Sequence, residues 1–208
     1  MRRAALALGL AAALPLGAAP PPVSSSSAPR IQFKHGQRYA GLDFRHVSGA
    51  FGEKYLPETM GSGVAIFDYD GDGWLDAFLV NSTRFPGQSG TPVFSALFRG
   101  TRDGKFEDVT REAGLAVEMY GIGATAADYD NDGWTDLYVT AVGGSRLFRN
   151  LGNGRFEDVT ESAGARTPGS FPSSAMFFDY DKDGHLDLVV AHYVTWTQEG
   201  DLHCTLDG

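Results

Sequence analysis

The sequence predicts an all-β fold built from four-stranded antiparallel sheets. Three features predict it: a ten-residue acidic segment that recurs, a second element that recurs between its copies, and short β-prone runs set apart by turn residues. The acidic segments are Phe67-Asp-Tyr-Asp-Gly-Asp-Gly-Trp-Leu-Asp76, Ala127-Asp-Tyr-Asp-Asn-Asp-Gly-Trp-Thr-Asp136 and Phe178-Asp-Tyr-Asp-Lys-Asp-Gly-His-Leu-Asp187, and they align without gaps at starts 60 and 51 residues apart. The second element is Leu97-Phe-Arg-Gly, a turn, then Phe106-Glu-Asp-Val-Thr110 and Ala113-Gly114. Its copy is Leu147-Phe-Arg-Asn, a turn, then Phe156-Glu-Asp-Val-Thr160 and Ala163-Gly164. Two elements interleaved at one period define a unit, and the units fall at approximately 62–115, 120–165 and 170–208.

Each unit supplies four candidate strands, in the first Val64 to Asp68, Asp76 to Val80, Ala96 to Arg99 and Lys105 to Val109. Asp103-Gly104 and Asn153-Gly154 join the third strand to the fourth, and these are residues that a tight hairpin with positive φ requires. Leu137-Tyr-Val-Thr and Leu188-Val-Val-Ala are apolar on both faces, which predicts burial between neighbouring sheets. Four-stranded sheets stacked face to face are the blades of a β-propeller, which closes with about four to eight of them. Phe33 precedes Ala40-Gly41 by the spacing of Phe106 to Ala113-Gly114, so this segment reads as an orphan fourth strand. The third unit breaks off after its second strand, near His192. The expectation is an incomplete propeller of about two and a half blades plus an orphan N-terminal strand, spanning 31–208.

The acidic segments carry the chemistry. Carboxylates stand at loop positions 1, 3, 5 and 9: Asp68, Asp70, Asp72 and Asp76; Asp128, Asp130, Asp132 and Asp136; Asp179, Asp181, Asp183 and Asp187. Position 6 is Gly73, Gly133 or Gly184, which permits the sharp turn that returns position 9 to the others. The backbone carbonyl at position 7, from Trp74, Trp134 or His185, completes an all-oxygen shell. Carboxylates crowded at 4 Å repel by about 1 kcal/mol per pair in water and about 4 kcal/mol at an effective dielectric of 20, so the loops call for a cation. Hard oxygen donors in a flexible shell favour Ca²⁺ over Mg²⁺, and three Ca²⁺ sites are expected. The plain alternative, that Asp-Gly marks surface turns, accounts for one loop better than for three alike. An EF-hand needs Glu at position 12 between helices; here Leu79, Val139 and Val190 occupy it, within strands.

The ends of the chain speak to location. Arg2 and Arg3 precede an apolar run from Ala4 to Leu16, followed by Gly17-Ala18-Ala19, so residues 1–19 read as a signal peptide. The run is shorter than the roughly 20 residues of a membrane span, and none is expected in the mature chain. Residues 20–30 are a Pro/Ser-rich linker. Losing Arg2 and Arg3 takes the formal charge from −9 to −11, which argues against nucleic acid as a partner. The predicted location is secreted, periplasmic or cell-surface. Cys204 is the single cysteine, and its solitude in an exported chain suggests a disulfide partner beyond Gly208.

Other candidates are weaker. Gly121-Ile-Gly-Ala-Thr-Ala126 fits a dinucleotide pattern but leads into a strand instead of opening a helix. His35, His46, His185, His192 and His203 show no metal-ligand spacing, and no nucleophile motif is present, so an enzyme is not expected. Trp74 and Trp134 fit hairpin packing better than ligand stacking. Asn81-Ser-Thr83 matches a glycosylation acceptor, and the insertion from Ser82 to Val93, absent from the second unit, is the best loop for specific contacts.

The Asp loops resemble the FG-GAP/VCBS repeat, the blade unit of integrin-α-like propellers, whose Asp-x-Asp-x-Asp-Gly-x-x-Asp loops bind calcium. Leu42-Asp-Phe-Arg-His-Val-Ser-Gly, Tyr55-Leu-Pro-Glu-Thr-Met-Gly and the Phe-Glu-Asp-Val-Thr copies are similar to the start of the cartilage acidic protein (ASPIC/UnbV) family. That resemblance implies an exported propeller followed by a small C-terminal domain, with this chain as an N-terminal fragment. The functional expectation is a calcium-binding scaffold recognising extracellular protein or glycan. The alternative is the N-terminal part of an exported carbohydrate-active enzyme, such as a polysaccharide lyase.

Overall fold

The computed structural model describes residues 40–85 and 88–201. The expected signal peptide (1–19) and linker (20–30), with Phe33, His35, His203 and Cys204, lie outside the described residues.

The order of elements is a short 3-10 turn at Leu56–Thr59 followed by β1 (Val64–Phe67), β2 (Asp76–Leu79), β3 (Ala96–Gly100), β4 (Phe106–Asp108), β5 (Tyr120–Ala127), β6 (Asp136–Val142), β7 (Arg146–Asn150), β8 (Phe156–Asp158), β9 (Phe171–Phe178) and β10 (Asp187–Val194). Strands β1 to β4 form one antiparallel sheet in chain order, β5 to β8 a second, and β9 and β10 pair with each other. Each acidic segment is one hairpin whose first and tenth residues face each other, as Phe67 to Asp76, Ala127 to Asp136 and Phe178 to Asp187. An identical register in three copies puts all three Asp loops at the same edge of their sheets.

The β3–β4 connection is one residue longer than a two-residue hairpin. Thr101 accepts the Gly104 N–H at 2.9 Å and its own N–H reaches Lys105 O at 2.9 Å, while Gly104 alone takes positive φ, at 76°. That is a type I turn closed by a left-handed glycine. Asp103 stays in the ordinary region and binds Thr101 Oγ1 at 2.6 Å instead.

The Phe-Glu-Asp-Val-Thr element is a latch. Thr110 Oγ1 accepts the Leu97 N–H at 3.0 Å and donates to Asp108 Oδ1 at 2.5 Å; Thr160 repeats both bonds with Leu147 at 2.9 Å and Asp158 at 2.5 Å. The chain leaving the fourth strand is thereby tied to the start of the third. Ala113, fully buried, then offers its carbonyl to the Phe156 N–H of the next sheet at 2.9 Å.

The two four-stranded sheets pack face to face. Phe67, Phe78, Val80 and Leu97 of the first meet Leu137, Val139, Ala141 and Phe148 of the second in one buried cluster. Leu137, Tyr138 and Val139 are all 0% exposed, as burial on both faces demands. Strand β10 departs from that expectation, for Val189 is 45% exposed and Val190 half-buried. The β9–β10 sheet packs through β9 against β5 and β6, and among the described residues its other face is exposed. Val64 and Ile66 of β1, 53% and 57% exposed, form the open face at the other end.

Small residues let the first strands of successive sheets approach. Gly63 N–H donates to Ile122 O at 2.7 Å, and a Cβ on Gly63 would lie 3.0 Å from the Gly123 Cα. A Cβ on Gly123 would lie 3.1 Å from Ser173 O. The glycines of the dinucleotide-like motif thus serve strand packing. Of the expected orphan element only Ala40-Gly41 is described: a Cβ on Gly41 would meet Phe106 O at 2.7 Å, as one on Gly114 would meet Phe156 O at 3.2 Å. Ala40-Gly41 therefore sits on the first sheet as Ala113-Gly114 sits on the second.

Thr160→Val keeps the shape of the latch but strands the buried Leu147 N–H and takes one donor from Asp158, which keeps the Thr160 N–H and Arg146. It is expected to lower unfolding free energy by about 1–3 kcal/mol in urea titrations at fixed calcium.

Candidate metal centres

Each Asp loop curls around its own first carboxylate. Asp68 Oδ1 accepts the Gly71 N–H at 2.8 Å and Oδ2 the Gly73 N–H at 2.9 Å. Asp128 holds Asp132 and Gly133 at 3.0 and 2.9 Å, and Asp179 holds Asp183 and Gly184, both at 3.1 Å. The turn needs left-handed backbone at positions 4 and 6. Gly71, Asn131 and Lys182 supply the first at φ 72°, 59° and 64°, and Gly73, Gly133 and Gly184 the second at 86°, 92° and 88°.

This curl gathers three carboxylates per loop. Oxygens of Asp68, Asp70 and Asp76 lie within 4.8 Å of one another, as do those of Asp128, Asp130 and Asp136, and of Asp179, Asp181 and Asp187. An ion that binds oxygen at about 2.3–2.6 Å can touch three atoms so spread. Position 5 stands outside the triads. Asp72, Asp132 and Asp183 turn one oxygen back onto the N–H of Trp74, Trp134 and His185, at 2.8, 2.9 and 2.8 Å. That bond orients the backbone at position 7, whose carbonyl is the expected fourth kind of ligand.

The ninth carboxylate does more than complete the triad. Asp76 is fully buried: Oδ2 accepts the Tyr69 N–H and Oδ1 the Gly100 N–H, each at 2.8 Å. Asp136 repeats this with Tyr129 at 3.0 Å and Asn150 at 2.7 Å. Each buried carboxylate therefore pins its loop to the end of the third strand. A carboxylate has about four lone-pair sites, so two acceptances leave room for a cation. Asp187 accepts the Tyr180 N–H at 2.8 Å but is exposed, with no third strand beside it among the described residues.

Residues 68–139 and 128–190 match the FG-GAP-like repeat, and together they span more than half of the chain. The chain belongs to the FG-GAP-like repeat family. Both matches open on a first-position aspartate and run through the following sheet into the next Asp loop. No curated protein matches the chain.

The FG-GAP-like loops touch one another in sequence order. Trp134, at position 7 of the second loop, lies over Gly71 of the first, where a Cβ would come within 3.1 Å of the indole. Asn131 Nδ2 of the second loop donates to Gly184 O of the third at 3.0 Å and lies 3.4 Å from the His185 ring. Position 7 of one loop thus rests on position 4 of the loop before it, which accounts for Trp134 without a ligand. Trp74, in the first loop, is 44% exposed.

One residue that matters here carried no signal of its own in the motif. Asn150, fully buried, donates Nδ2 to Tyr69 O of the first loop at 2.7 Å and to Thr135 O of the second at 3.0 Å. The only hint was a polar residue ending the otherwise apolar and basic Arg146-Leu-Phe-Arg-Asn150. The glycosylation sequon has a different reading from the one its pattern suggests. Asn81 is 4% exposed and accepts the Val47 N–H at 2.7 Å, so the folded protein offers it no access for modification.

Burial raises the Asp76 and Asp136 carboxyls from 3.8 to about 6, against the opposing pull of their backbone N–H partners and with Asp70 and Asp130 respectively adding to the rise. Burial, then the Asp72 charge, also raises Asp70. A carboxyl raised in the folded state stabilises the fold below its unfolded pKa and gives that up as pH climbs through the folded value. In chelator, thermal melts are therefore expected to fall in midpoint between pH 4 and about pH 6.5. Saturating Ca²⁺ selects the ionised form and should reverse the slope; parallel curves with and without calcium would contradict the site. Asn150→Ala removes three side-chain hydrogen bonds, to Tyr69 O, Thr135 O and the Gly152 N–H, and is expected to cost about 1–3 kcal/mol in urea unfolding.

Proposed function

We propose that the chain is a calcium-binding, exported β-propeller of the cartilage acidic protein (ASPIC/UnbV) type, acting as a non-catalytic scaffold for recognition of, or adhesion to, extracellular protein or glycan. The observation that carries this reading is the repeated triad: three clusters of hard oxygen donors, each at the same edge of its sheet and in the same register. Three divalent ions add six positive charges and relieve the crowding that the acidic loops create. When bound, the ion supplies electrostatic cross-linking of strands and no reaction.

The uncovered apolar faces at Val64 and Ile66 on one side, and at Met176 and Val189 on the other, support the propeller part of the reading. They have the character of the faces that meet between the first two sheets, so further sheets of the same kind would cover them. The apolar run from Ala4 to Leu16 supports export. No helix among the described residues is long and apolar enough to cross a membrane.

Calorimetric titration of the chelator-stripped chain is expected to show three Ca²⁺ per chain and weaker uptake of Mg²⁺. Asp130→Asn should reduce the count to two. At a free calcium of 100 times Kd each site adds about 2.7 kcal/mol to stability, which thermal melts would register as a rise of several degrees. Absence of heat on titration together with an unmoved melting point would end the calcium reading. Binding of the calcium-loaded chain to arrays of extracellular proteins and glycans tests the recognition role.

A further inference from the structure

The insertion Ser82 to Val93, absent from the second unit, begins inside the body of the protein. Its start is buried: Asn81, Ser82, Thr83 and Phe85 are 4%, 1%, 9% and 4% exposed. Phe85 lies in an aromatic cluster with Tyr120, 4.7 Å between ring centroids, and with Trp196 at 5.8 Å. These residues meet at the start of β5 and beyond the end of β10, the sheet edge opposite the Asp loops. In the second unit the tight turn at Gly143-Gly144 takes the place of the insertion and leaves space there.

That space is a pocket of about 340 Å³, lined on its floor by Phe85, Tyr120, Val142 and Trp196. Its volume lies at the lower end of the roughly 300–1,000 Å³ of small-ligand sites. The polar ends of its two largest rings are already engaged. Trp196 Nε1 donates to Asp201 at 2.5 Å, and the Tyr120 hydroxyl donates to Ser48 O at 2.5 Å. Both rings are therefore fixed in orientation and present carbon surface. Around the rim stand Arg84, Ser170, Thr197, Gln198 and Glu199. Gln198 and Glu199 have no side-chain hydrogen-bond partner among the described residues, and Arg84 is held at Thr91 O.

Arg84 and Glu199 are the only charged residues lining the pocket among those described, and their charges cancel. An ionic ligand gains nothing from such a site, and a purely apolar one leaves the rim unpaired. A pyranose satisfies both parts: the C–H face of the ring packs on an aromatic plane, and the hydroxyls around it pair with amide, carboxylate and hydroxyl groups. We infer that this pocket is a carbohydrate subsite for about one or two neutral sugar rings. Trp196 is the stacking platform, and Gln198 and Glu199 are the hydroxyl partners. The inference rests on the glycan branch of the proposed function and gives it a location.

The test is saturation-transfer NMR on the calcium-loaded chain with cellobiose, lactose and chitobiose as probes. At least one probe is expected to receive transfer at its ring C–H positions. Trp196→Ala should weaken that probe at least about tenfold. Gln198→Ala and Glu199→Gln, at the solvent-facing rim, should each weaken it without moving the melting point, so the site remains testable should Trp196→Ala fold poorly. Transfer that survives unchanged in the rim variants would overturn the pocket and leave glycan recognition standing. Transfer from none of the probes to the wild-type chain, in a sample that still titrates with calcium, would remove the pocket and the glycan branch together and leave a protein partner as the remaining reading.

Discussion

The ninth carboxylate of each Asp loop is the constraint on which the rest of the architecture depends. A buried Asp is costly unless its oxygens are paired, and Asp76 and Asp136 meet that demand with N–H groups from two different places, the second residue of the loop and the end of the third strand. One side chain thereby fixes the loop's curl, the β1–β2 or β5–β6 hairpin and the placement of the next strand. The same anchoring holds a carboxylate within reach of two others, so the geometry that folds the sheet also creates the charge cluster. The fold and the proposed metal site share an atom group, and contacts between units run through Asn150 and Trp134.

Much of this was legible because it repeats. Three gapless copies fixed the hairpin register, and the strands of the first unit lie within a residue or two of where aromatic and branched runs placed them. The triads followed from loop spacing alone. The parts that did not read out depend on which groups the folded chain brings together, inside a loop as well as between units. Position 5 looks identical to positions 1 and 3 on paper, yet its oxygen turns inward to the backbone of position 7 because the tight turn brings that N–H within 2.9 Å. Burial of β10 was expected from its composition, which resembles that of β6, but burial depends on what lies opposite, and nothing among the described residues lies there. Asp103-Gly104 pointed correctly to a glycine at positive φ and not to the extra residue in the turn, since both hairpin types need that glycine.

The repeated second element shows how a motif with acids in it can be structural. Phe-Glu-Asp-Val-Thr places two carboxylates side by side, but Asp108 and Asp158 are spent on the Thr110 and Thr160 latches, and Glu107 and Glu157 pair with Arg99 and Arg149 across the sheet at 2.5 and 2.9 Å. Those pairs are exposed and contribute little, about 0–1 kcal/mol each. Each pair instead places charge on the outer strand of its own sheet, which discourages pairing with another chain.

The two edges of the sheets follow different logics. At the Asp-loop edge every unit repeats the same four aspartates and the glycine at position 6, because each loop solves the same problem of crowded charge in the same way. At the opposite edge the units diverge: the first carries the insertion from Ser82 to Val93, the second a two-glycine turn, and the third a tryptophan held by a neighbouring aspartate. A repeat protein can vary a loop freely only where the variation does not disturb the stacking of its sheets, and the buried start of the insertion meets that condition by joining the aromatic cluster instead of the inter-sheet core. The proposed subsite therefore lies where the period breaks, on a frame that the regular edge makes rigid.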